Sequence, residues 1–398
     1  MNPLSQRVIN MSESATLAMA QKARDFKARG IDVISLSLGE PDFKTPKHIQ
    51  EAAKKAIDSQ KYFAYPPVAG YMDFREAIAK KFREENGIQC EAANVVVSNG
   101  AKQSIANVMM SMLDPGDEVI VLSPYWVSYA DVIKVAEGTP VYVQGEIENN
   151  FKATAAQIEA AITDKTKMMI YSSPCNPSGE LFTRAEMDEI VKVIERYPNV
   201  YVVSDEIYEH INFTDDKVSI GAYPAVADRV ITVNGVAKAF AMTGWRIGYI
   251  CAPIEIAKAC IKIQGQFTSA ASGISQRAAM EAITTDLGPT RMMTAEYLER
   301  RQMVYDLLNE IPGIETVMPS GAFYFLPKVS AYFGKSYGDY TINNAGDFCI
   351  YLLEEAHVSL VTGEAFGVPE CVRLSYAASR EDLKEAFVRI KKALGQLQ

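Results

Sequence analysis

The 398-residue sequence contains few of the side chains that hold metals or cross-link a chain. It has six cysteines and three histidines. No two cysteines form a C-x-x-C pair, and His48, His210 and His357 are far apart. Scattered cysteines in a chain of this length predict reduced core thiols rather than a disulfide framework. Because no histidine stands at ligand spacing from another histidine or a cysteine, we expect no zinc site.

The sequence also lacks a basic segment and a long apolar run. Asp and Glu outnumber Lys and Arg by 49 to 40, a formal net charge of −9, and the basic residues do not cluster. This pattern argues against nucleic acid as a partner. No run of eighteen apolar residues is present, and residues 1–14 lack the apolar core of a signal peptide. We therefore expect a cytoplasmic protein that does not span a membrane.

Apolar residues are abundant, at 48%, and they form strands that alternate with helices. Short β-rich runs begin at Val95, Glu118, Lys167, Val200 and Val230, and helical patterns separate the first four. This alternation predicts an α/β fold, in which helices cover a mostly parallel sheet and ligand-binding groups lie at the carboxyl ends of strands. After residue 291 a long charged helix leads into a smaller α+β layer, so a second domain is expected.

The segment from Val230 to Tyr249 carries a strong chemical signal. Its apolar strand stops at a turn, and Lys238 follows among alanines with no acidic neighbour in the segment. Burial disfavours an ammonium group, lowers its pKa and suits it to Schiff-base chemistry. Arg246 lies eight residues further on, also without a local acid. An arginine in such an apolar setting needs an anion from outside the segment.

Other strand ends carry groups that fit one ligand. Gly100, Ala101 and Lys102 form a turn between a strand and a helix N-terminus, a geometry that binds phosphate through free amides and the helix dipole. An aromatic residue, an amide, an acid and a tyrosine follow further strands: Trp126, Asn176, Asp205 and Tyr208. Together with Lys238 and Arg246, this set predicts a site for pyridoxal phosphate.

In this hypothesis Lys238 condenses with the aldehyde of the cofactor. Asp205 keeps the pyridine nitrogen protonated, so that the ring can accept electrons. Tyr208 and Asn176 hydrogen-bond the phenolic oxygen, while Arg246 and the helix amides hold the phosphate. The aromatic side chain of Trp126 stacks on the ring. No nicotinamide or metal site would use all of these groups.

Eight motifs stand in a fixed order along nearly the whole chain: Ser14-Ala15-Thr16, Gly39-Glu40-Pro41-Asp42-Phe43, Asn99-Gly100-Ala101-Lys102-Gln103, Ser123-Pro124-Tyr125-Trp126-Val127-Ser128-Tyr129, Asn176-Pro177-Ser178-Gly179, Val203-Ser204-Asp205-Glu206-Ile207-Tyr208-Glu209, Lys238-Ala239-Phe240-Ala241-Met242-Thr243-Gly244-Trp245-Arg246 and Arg373-Leu374-Ser375-Tyr376-Ala377. With them the sequence resembles the class I/II aminotransferases of pyridoxal-phosphate fold type I, and in detail the bacterial aspartate aminotransferases of the gamma subgroup.

The resemblance implies a large cofactor-binding domain, residues 48–290, with a mostly parallel sheet covered by helices. Both termini would form a smaller α+β domain. Residues 1–47 would supply its N-terminal arm and part of its structure, and residues 291–398 the C-terminal remainder.

The resemblance also implies roles for matching residues. Lys238 would hold the cofactor and move a proton between the substrate α-carbon and the cofactor. Arg373 would bind the substrate α-carboxylate, and such a charge-assisted bidentate contact contributes about 1.5–3 kcal/mol. Asn176, Trp126 and the backbone of Gly39 would line the same pocket.

Further positions bear on the partners. Tyr65 would reach the phosphate in a neighbouring subunit, so a homodimer with shared active sites is expected. Lys102, with Ser14 and Thr16, matches positions that favour acidic substrate side chains in this subgroup. Some relatives of this subgroup also accept prephenate and carry a lysine two residues before the position of Ser14; this sequence has Ser12 there, so the resemblance leaves prephenate as an open alternative.

These features predict an aminotransferase that moves the amino group of L-aspartate to 2-oxoglutarate in a ping-pong cycle, giving oxaloacetate and L-glutamate. The partners would be small amino acids and 2-oxo acids. The alternatives are an aminotransferase for aromatic or other large amino acids, a lyase on the same fold, and a cofactor-binding regulator. A regulator of this fold usually carries a DNA-binding helical domain, for which the sequence has neither spare length nor a basic segment.

Overall fold

A computed structural model of the protein describes residues 3–214 and 216–398. Its α-helices begin and end as follows: α1 Gln6–Ile9, α2 Ala15–Ala28, α3 Lys47–Asp58, α4 Met72–Glu85, α5 Ala101–Met112, α6 Ser128–Val135, α7 Ala155–Ala160, α8 Arg184–Arg196, α9 Ile254–Phe267, α10 Gly273–Thr284, α11 Gly288–Asn309, α12 Ala345–Glu355 and α13 Arg380–Leu394. Within these two ranges, no helix combines the length and apolarity needed to cross a membrane.

The strands are mostly short. They are β1 Ile34–Ser35, β2 Val95–Ser98, β3 Glu118–Ser123, β4 Thr139–Gln144, β5 Thr166–Ser172, β6 Tyr201–Asp205, β7 Val230–Gly235, β8 Gly248–Cys251, β9 Tyr324–Phe325, β10 Ser336–Tyr337, β11 Tyr340–Thr341, β12 Val358–Ser359, β13 Val361–Thr362 and β14 Val372–Ser375.

Seven strands form the central sheet in the order β2-β8-β7-β6-β5-β3-β4. The pairs from β7 to β4 are parallel, and only β8 runs antiparallel to its neighbours β2 and β7. Alternate residues of one strand enter different cores: Val119 and Val121 pack with α5 and α6, whereas Ile120 packs with α8. Helices therefore cover both faces, which is the predicted α/β architecture.

The register of the sheet brings chemically active strand ends together. Ser172, the last residue of β5, is the partner of Asp205 at the end of β6, and Asp205 also pairs with Val233 of β7. The turn that leads to Lys238 begins where β7 ends. Parallel neighbours end at the same edge, so these segments converge on one side of the sheet.

Outside the central sheet, the two ends of the chain pack on each other. Strand β1 pairs in parallel with β12, and a second sheet has the order β13-β14-β9. Side chains of α2, β1, α11, α12 and α13 share one hydrophobic core. Arg373, on β14, is carried by this part of the chain.

Some elements of the fold were not predicted from the sequence. The N-terminal arm contains a short helix that the sequence did not indicate, α1 at Gln6–Ile9; residues 1 and 2 of the arm lie outside the described ranges. Strand β8 was not predicted, because its four residues begin with glycine and directly follow the Arg246 loop. Its pairing on both sides explains why so short a segment is extended.

Candidate active site

A cavity of about 680 Å³ lies at the carboxyl edge of the central sheet. Twelve of the predicted site residues line it: Ser14, Thr16, Gly39, Ala101, Lys102, Trp126, Asn176, Asp205, Tyr208, Lys238, Arg246 and Arg373. Gly100 lies directly beside this group, against the guanidinium of Arg246. Segments from both ends of the chain thus meet the central sheet at one pocket, which is a common position for a ligand site.

Lys238 is half-buried in this cavity. Its Nζ donates a hydrogen bond to the Gly39 carbonyl at 2.5 Å and lies 5.7 Å from the centre of the Tyr208 ring. Burial lowers the pKa of Lys238 to about 8, although Glu40 and Asp205 oppose the shift. A lysine with this pKa carries a substantial neutral fraction near neutral pH, as an amine nucleophile requires.

Asp205 is buried at the end of β6, and its Oδ2 accepts a hydrogen bond from the Tyr129 hydroxyl at 2.7 Å. Its Oδ1 accepts from the Ile207 amide at 3.3 Å. Burial raises the pKa of Asp205 to about 6, while Tyr129, Ile207 and Lys238 act to lower it. The carboxyl is therefore mostly ionised at neutral pH and has no cation in direct contact among the described residues, so it can pair with a protonated ligand nitrogen.

The start of α5 forms an anion site. The backbone N–H groups of Ala101 and Lys102 lie in the first turn of α5, where no earlier helical carbonyl can accept a hydrogen bond from them. They have no hydrogen-bond partner in the described part of the chain. Gly100 has φ +87°, and a Cβ there would lie 2.3 Å from Nη2 of Arg246, so only glycine fits. Arg246 donates to the carbonyls of Thr243 and Asn99 at 3.0 and 3.2 Å but meets no carboxylate. Free amides and an unpaired guanidinium suit a phosphate.

Arg373 forms a second anion site on another wall. It is 2% exposed, donates from Nη1 to Asn176 Oδ1 at 2.9 Å and from Nη2 to the Ser37 carbonyl at 2.5 Å. Its Nε has no hydrogen-bond partner among the residues that the structure describes, and burial lowers the pKa of the Arg373 guanidinium. A buried guanidinium that contacts no carboxylate requires an anionic ligand to offset the cost of desolvation. Asn176 uses its oxygen on Arg373, which leaves its Nδ2 without a partner in the described chain.

Lys102 lies beside Trp126, with its Nζ 4.9 Å from the ring centre. Burial and the positive charge of Arg246 both lower the pKa of Lys102. Its ammonium makes no ion pair within the described ranges, and Ser14 and Thr16 of the N-terminal segment line the same cavity. This corner can accept a second anionic group.

The structure does not bring Tyr65 into the cavity of its own chain, because this side chain is 94% exposed. Conversely, two tyrosines in the site received no role from the sequence, Tyr129 and Tyr324. The hydroxyl of Tyr324 lies 2.7 Å from that of Tyr208. Tyr129 follows Trp126 by three residues at the start of a helix, a spacing that would have placed both rings on one face. No local signal distinguished Tyr324 from other strand aromatics.

The donor set fits pyridoxal phosphate: a half-buried lysine for its aldehyde, a buried carboxylate for its ring nitrogen, and free amides beside an unpaired arginine for its phosphate. The Arg373 Nε without a partner leaves a place for the carboxylate of an amino acid. Fold and site together define a pyridoxal-phosphate enzyme of fold type I.

Comparisons with known proteins agree. The family model for aminotransferase class I and II matches residues 31–390. A probable aspartate/prephenate aminotransferase of Rickettsia felis is 44% identical over 400 residues, covering 100% of this chain and 98% of that protein. An aspartate/prephenate aminotransferase of Cereibacter sphaeroides is 44% identical over 394 residues, covering 98% of each.

Solved structures give the same result. The aspartate aminotransferase of Rhizobium meliloti superposes with a TM-score of 0.96 at 40% identity over 100% of both chains. That of Thermus thermophilus, solved with maleate, gives 0.93 at 39% identity over 99% of this chain and 100% of the other. The chain belongs to the class I and II aminotransferase family, whose members use pyridoxal phosphate.

Proposed function

We propose that the protein transfers the amino group of L-aspartate to 2-oxoglutarate by a ping-pong mechanism. The observation that carries the proposal is that two cations around the cavity of Lys238, Arg373 and Lys102, have no carboxylate partner among the described residues. L-Aspartate and 2-oxoglutarate are both dicarboxylates, so each of their two carboxylates can pair with one of these cations. The names of the closely similar relatives support the same reaction.

When bound, pyridoxal phosphate would supply an electron-accepting ring conjugated to the substrate α-carbon. Lys238 would take the proton from the α-carbon and return it to the cofactor carbon that bears the transferred nitrogen; a pKa of about 8 suits its amine to act as a base near neutral pH. Asp205 keeps the ring nitrogen cationic, and Arg373 with Asn176 orients the α-carboxylate. Burial of this group of residues strengthens their electrostatic contacts, because few water molecules compete.

A half-reaction tests the proposal. The purified protein is loaded with pyridoxal phosphate, freed of excess cofactor and mixed with L-aspartate alone. The visible absorbance of the bound aldehyde form should disappear in one turnover while oxaloacetate appears, and 2-oxoglutarate should restore it. A protein that shows no bleaching with any dicarboxylic amino acid would not be this enzyme. Release of ammonia in place of a restored cycle would instead indicate a lyase.

A second candidate is an aminotransferase for aromatic or other large amino acids, and Lys102→Ala separates it from the first. Loss of this partly exposed cation should lower kcat/KM for aspartate about tenfold, within the range for charge-assisted contacts, and leave an aromatic donor nearly unaffected. Lys134→Ala is a matched control, since Lys134 pairs with Asp131 outside the cavity lining. Unchanged aspartate turnover with dominant aromatic turnover would favour the second candidate.

Prephenate is a further acceptor to test, because two of the similar relatives carry it in their names. This chain has Ser12 where prephenate-using relatives are expected to have lysine. We expect weak or no turnover of prephenate and a gain in Ser12→Lys, measured with glutamate or aspartate as donor. Efficient prephenate turnover by the unchanged protein would show that Ser12 does not exclude this substrate.

We propose a homodimer in which Tyr65 of each subunit completes the other site. The 94% exposure of Tyr65, together with exposed apolar neighbours Phe63 and Met72, supports an interface there. Mixing Lys238→Ala with Tyr65→Ala tests this: each variant alone should be impaired, and hybrid dimers should recover about a quarter of the wild-type activity at equal mixing, because half of the dimers gain one intact site. Lack of recovery despite subunit exchange would contradict the shared site.

We further propose the domain division 1–47, 48–290 and 291–398, with both ends of the chain in the smaller domain. The pairing of β1 with β12 supports it. Limited proteolysis should cut first near residues 285–291, and a first cut within the central sheet would argue for other boundaries. A cytoplasmic location remains a prediction, which cell fractionation would test.

A further inference from the structure

Tyr324 of β9 lies between two functional groups of the site and is fully buried. Its hydroxyl is 2.7 Å from the hydroxyl of Tyr208. Burial raises the pKa of both phenols, so both remain protonated at neutral pH. Since each hydroxyl has one proton, only one of the two can donate to the other.

The ring of Tyr324 contacts a different group. The Cζ of Arg373 lies 4.7 Å from the centre of the Tyr324 ring and 4.9 Å from that of Phe366. The guanidinium therefore contacts the faces of two aromatic rings while its hydrogen bonds go to Asn176 and Ser37. Cation–π contacts of this kind stabilise a desolvated arginine without neutralising it.

The backbone near Lys238 is fitted to the same hydroxyl. A Cβ on Gly39 would lie 2.2 Å from the Tyr324 hydroxyl oxygen, so only glycine leaves room for it. Tyr324 therefore lies directly against Tyr208, Arg373 and Gly39. The carbonyl of Gly39 is the hydrogen-bond acceptor of Lys238.

We propose that Tyr324 is a positioning residue that aligns the cofactor side and the substrate side of the site. Its hydroxyl donates to the oxygen of Tyr208, which directs the proton of Tyr208 toward the phenolic oxygen of the cofactor. Its ring, together with that of Phe366, fixes Arg373 for the substrate α-carboxylate. The inference rests on the proposed function, because it takes pyridoxal phosphate to lie against Tyr208.

The physical basis is the cooperativity of hydrogen bonds in a chain. A phenol that accepts a hydrogen bond becomes a better donor, by roughly 10–30% per bond. A stronger donor at the phenolic oxygen stabilises negative charge there and so lowers the proton affinity of the conjugated cofactor. Removal of the Tyr324 hydroxyl should therefore make the bound cofactor easier to protonate.

Tyr324→Phe tests the hydroxyl and keeps the ring. The pH midpoint of the visible absorbance of the bound cofactor should rise by about 0.2 to 0.6 of a pH unit. The Kd for maleate, a dicarboxylate that does not react, should change by less than about twofold because the aromatic face remains. Phe366→Leu should have the opposite pattern of effects. The Kd for maleate should rise about threefold to tenfold, and the pH midpoint of the cofactor absorbance should stay unchanged.

A double variant separates positioning from a general structural effect. In a Tyr208→Phe background, Tyr324→Phe should cause no further shift of the midpoint, since the hydroxyl acts through Tyr208. Gly39→Ala is a second route to the same effect, because its methyl group displaces the Tyr324 hydroxyl. Thermal unfolding of each loaded variant checks that the fold is kept.

An unchanged midpoint in Tyr324→Phe would overturn the proposal, as would a shift that persists without the Tyr208 hydroxyl. Failure of the proposed function would look different: the wild-type protein itself would stay colourless with pyridoxal phosphate, or would hold it without bleaching by aspartate.

Discussion

The contact between Tyr129 and Asp205 allows a quantitative prediction for Tyr129→Phe. The substitution removes one hydroxyl, whose 2.7 Å hydrogen bond reaches Oδ2 of Asp205, and keeps the ring that packs edge-on against Trp126. The hydroxyl favours the ionised form of a carboxyl whose pKa burial has already raised to about 6. Without it, the carboxyl should hold its proton more strongly.

The magnitude follows from the strength of the bond. A hydrogen bond to a charged group contributes about 1.5–3 kcal/mol, which corresponds to about one to two pKa units and would move Asp205 to about 7–8. At pH 7 the ionised fraction would fall from about 90% to between about 10% and 50%. Cofactor binding that requires the carboxylate should therefore weaken about twofold to tenfold at pH 7 and recover at pH 9.

The assay is a titration of the cofactor-free protein with pyridoxal phosphate at pH 6, 7, 8 and 9, followed by absorbance. The ratio of the variant's Kd to the wild-type Kd should decrease steadily with rising pH. Tyr171→Phe is the matched control, because Tyr171 is buried on the neighbouring strand and bonds Ser204 rather than Asp205. A Kd ratio independent of pH, or an equal effect in Tyr171→Phe, would refute the assigned role of Tyr129.

Two further predictions concern substrate binding and stability. Arg373→Lys removes the planar pair of donors, so the Kd for maleate should rise about tenfold to a hundredfold in an absorbance titration, whereas a change below threefold would contradict the carboxylate role. Lys81→Met should destabilise the fold by about 1–3 kcal/mol in urea unfolding, because it removes the ammonium that pairs with the half-buried Glu209, which keeps Asn86 and His210 as partners. Although burial acts to raise it, Lys81 and His210 depress the pKa of Glu209 to about 2. The stability from this pair is therefore full above pH about 4.5 and is lost as the pH falls toward 2; Glu209→Gln should flatten that dependence, and an unaltered acid transition would show that other groups govern it.

Helices and strands are predictable where local pattern and tertiary environment agree. The residue pattern predicts a helix over 47–58 and strands over 95–98 and 372–375, and the structure has these elements with the same bounds. Strand β8 was missed because its extended form depends on pairing with β2 and β7, which are distant in sequence. The sequence pattern also predicts a strand over residues 31–38, of which the structure forms Ile34–Ser35 as a strand paired with β12.

The kind of chemistry can be inferred from local features of the chain. These are a lysine among small residues, an acid after an apolar strand and a glycine turn before a helix; the neighbouring residues of each affect either the pKa of its side chain or its ability to bind an anion. Which side chains act together depends on tertiary packing. Arg373 meets Asn176 from 197 residues away, and Tyr324 meets Tyr208 from 116 residues away. Such contacts depend on how the chain ends pack against the sheet, and this packing is a sum of many weak apolar contacts that no short motif encodes.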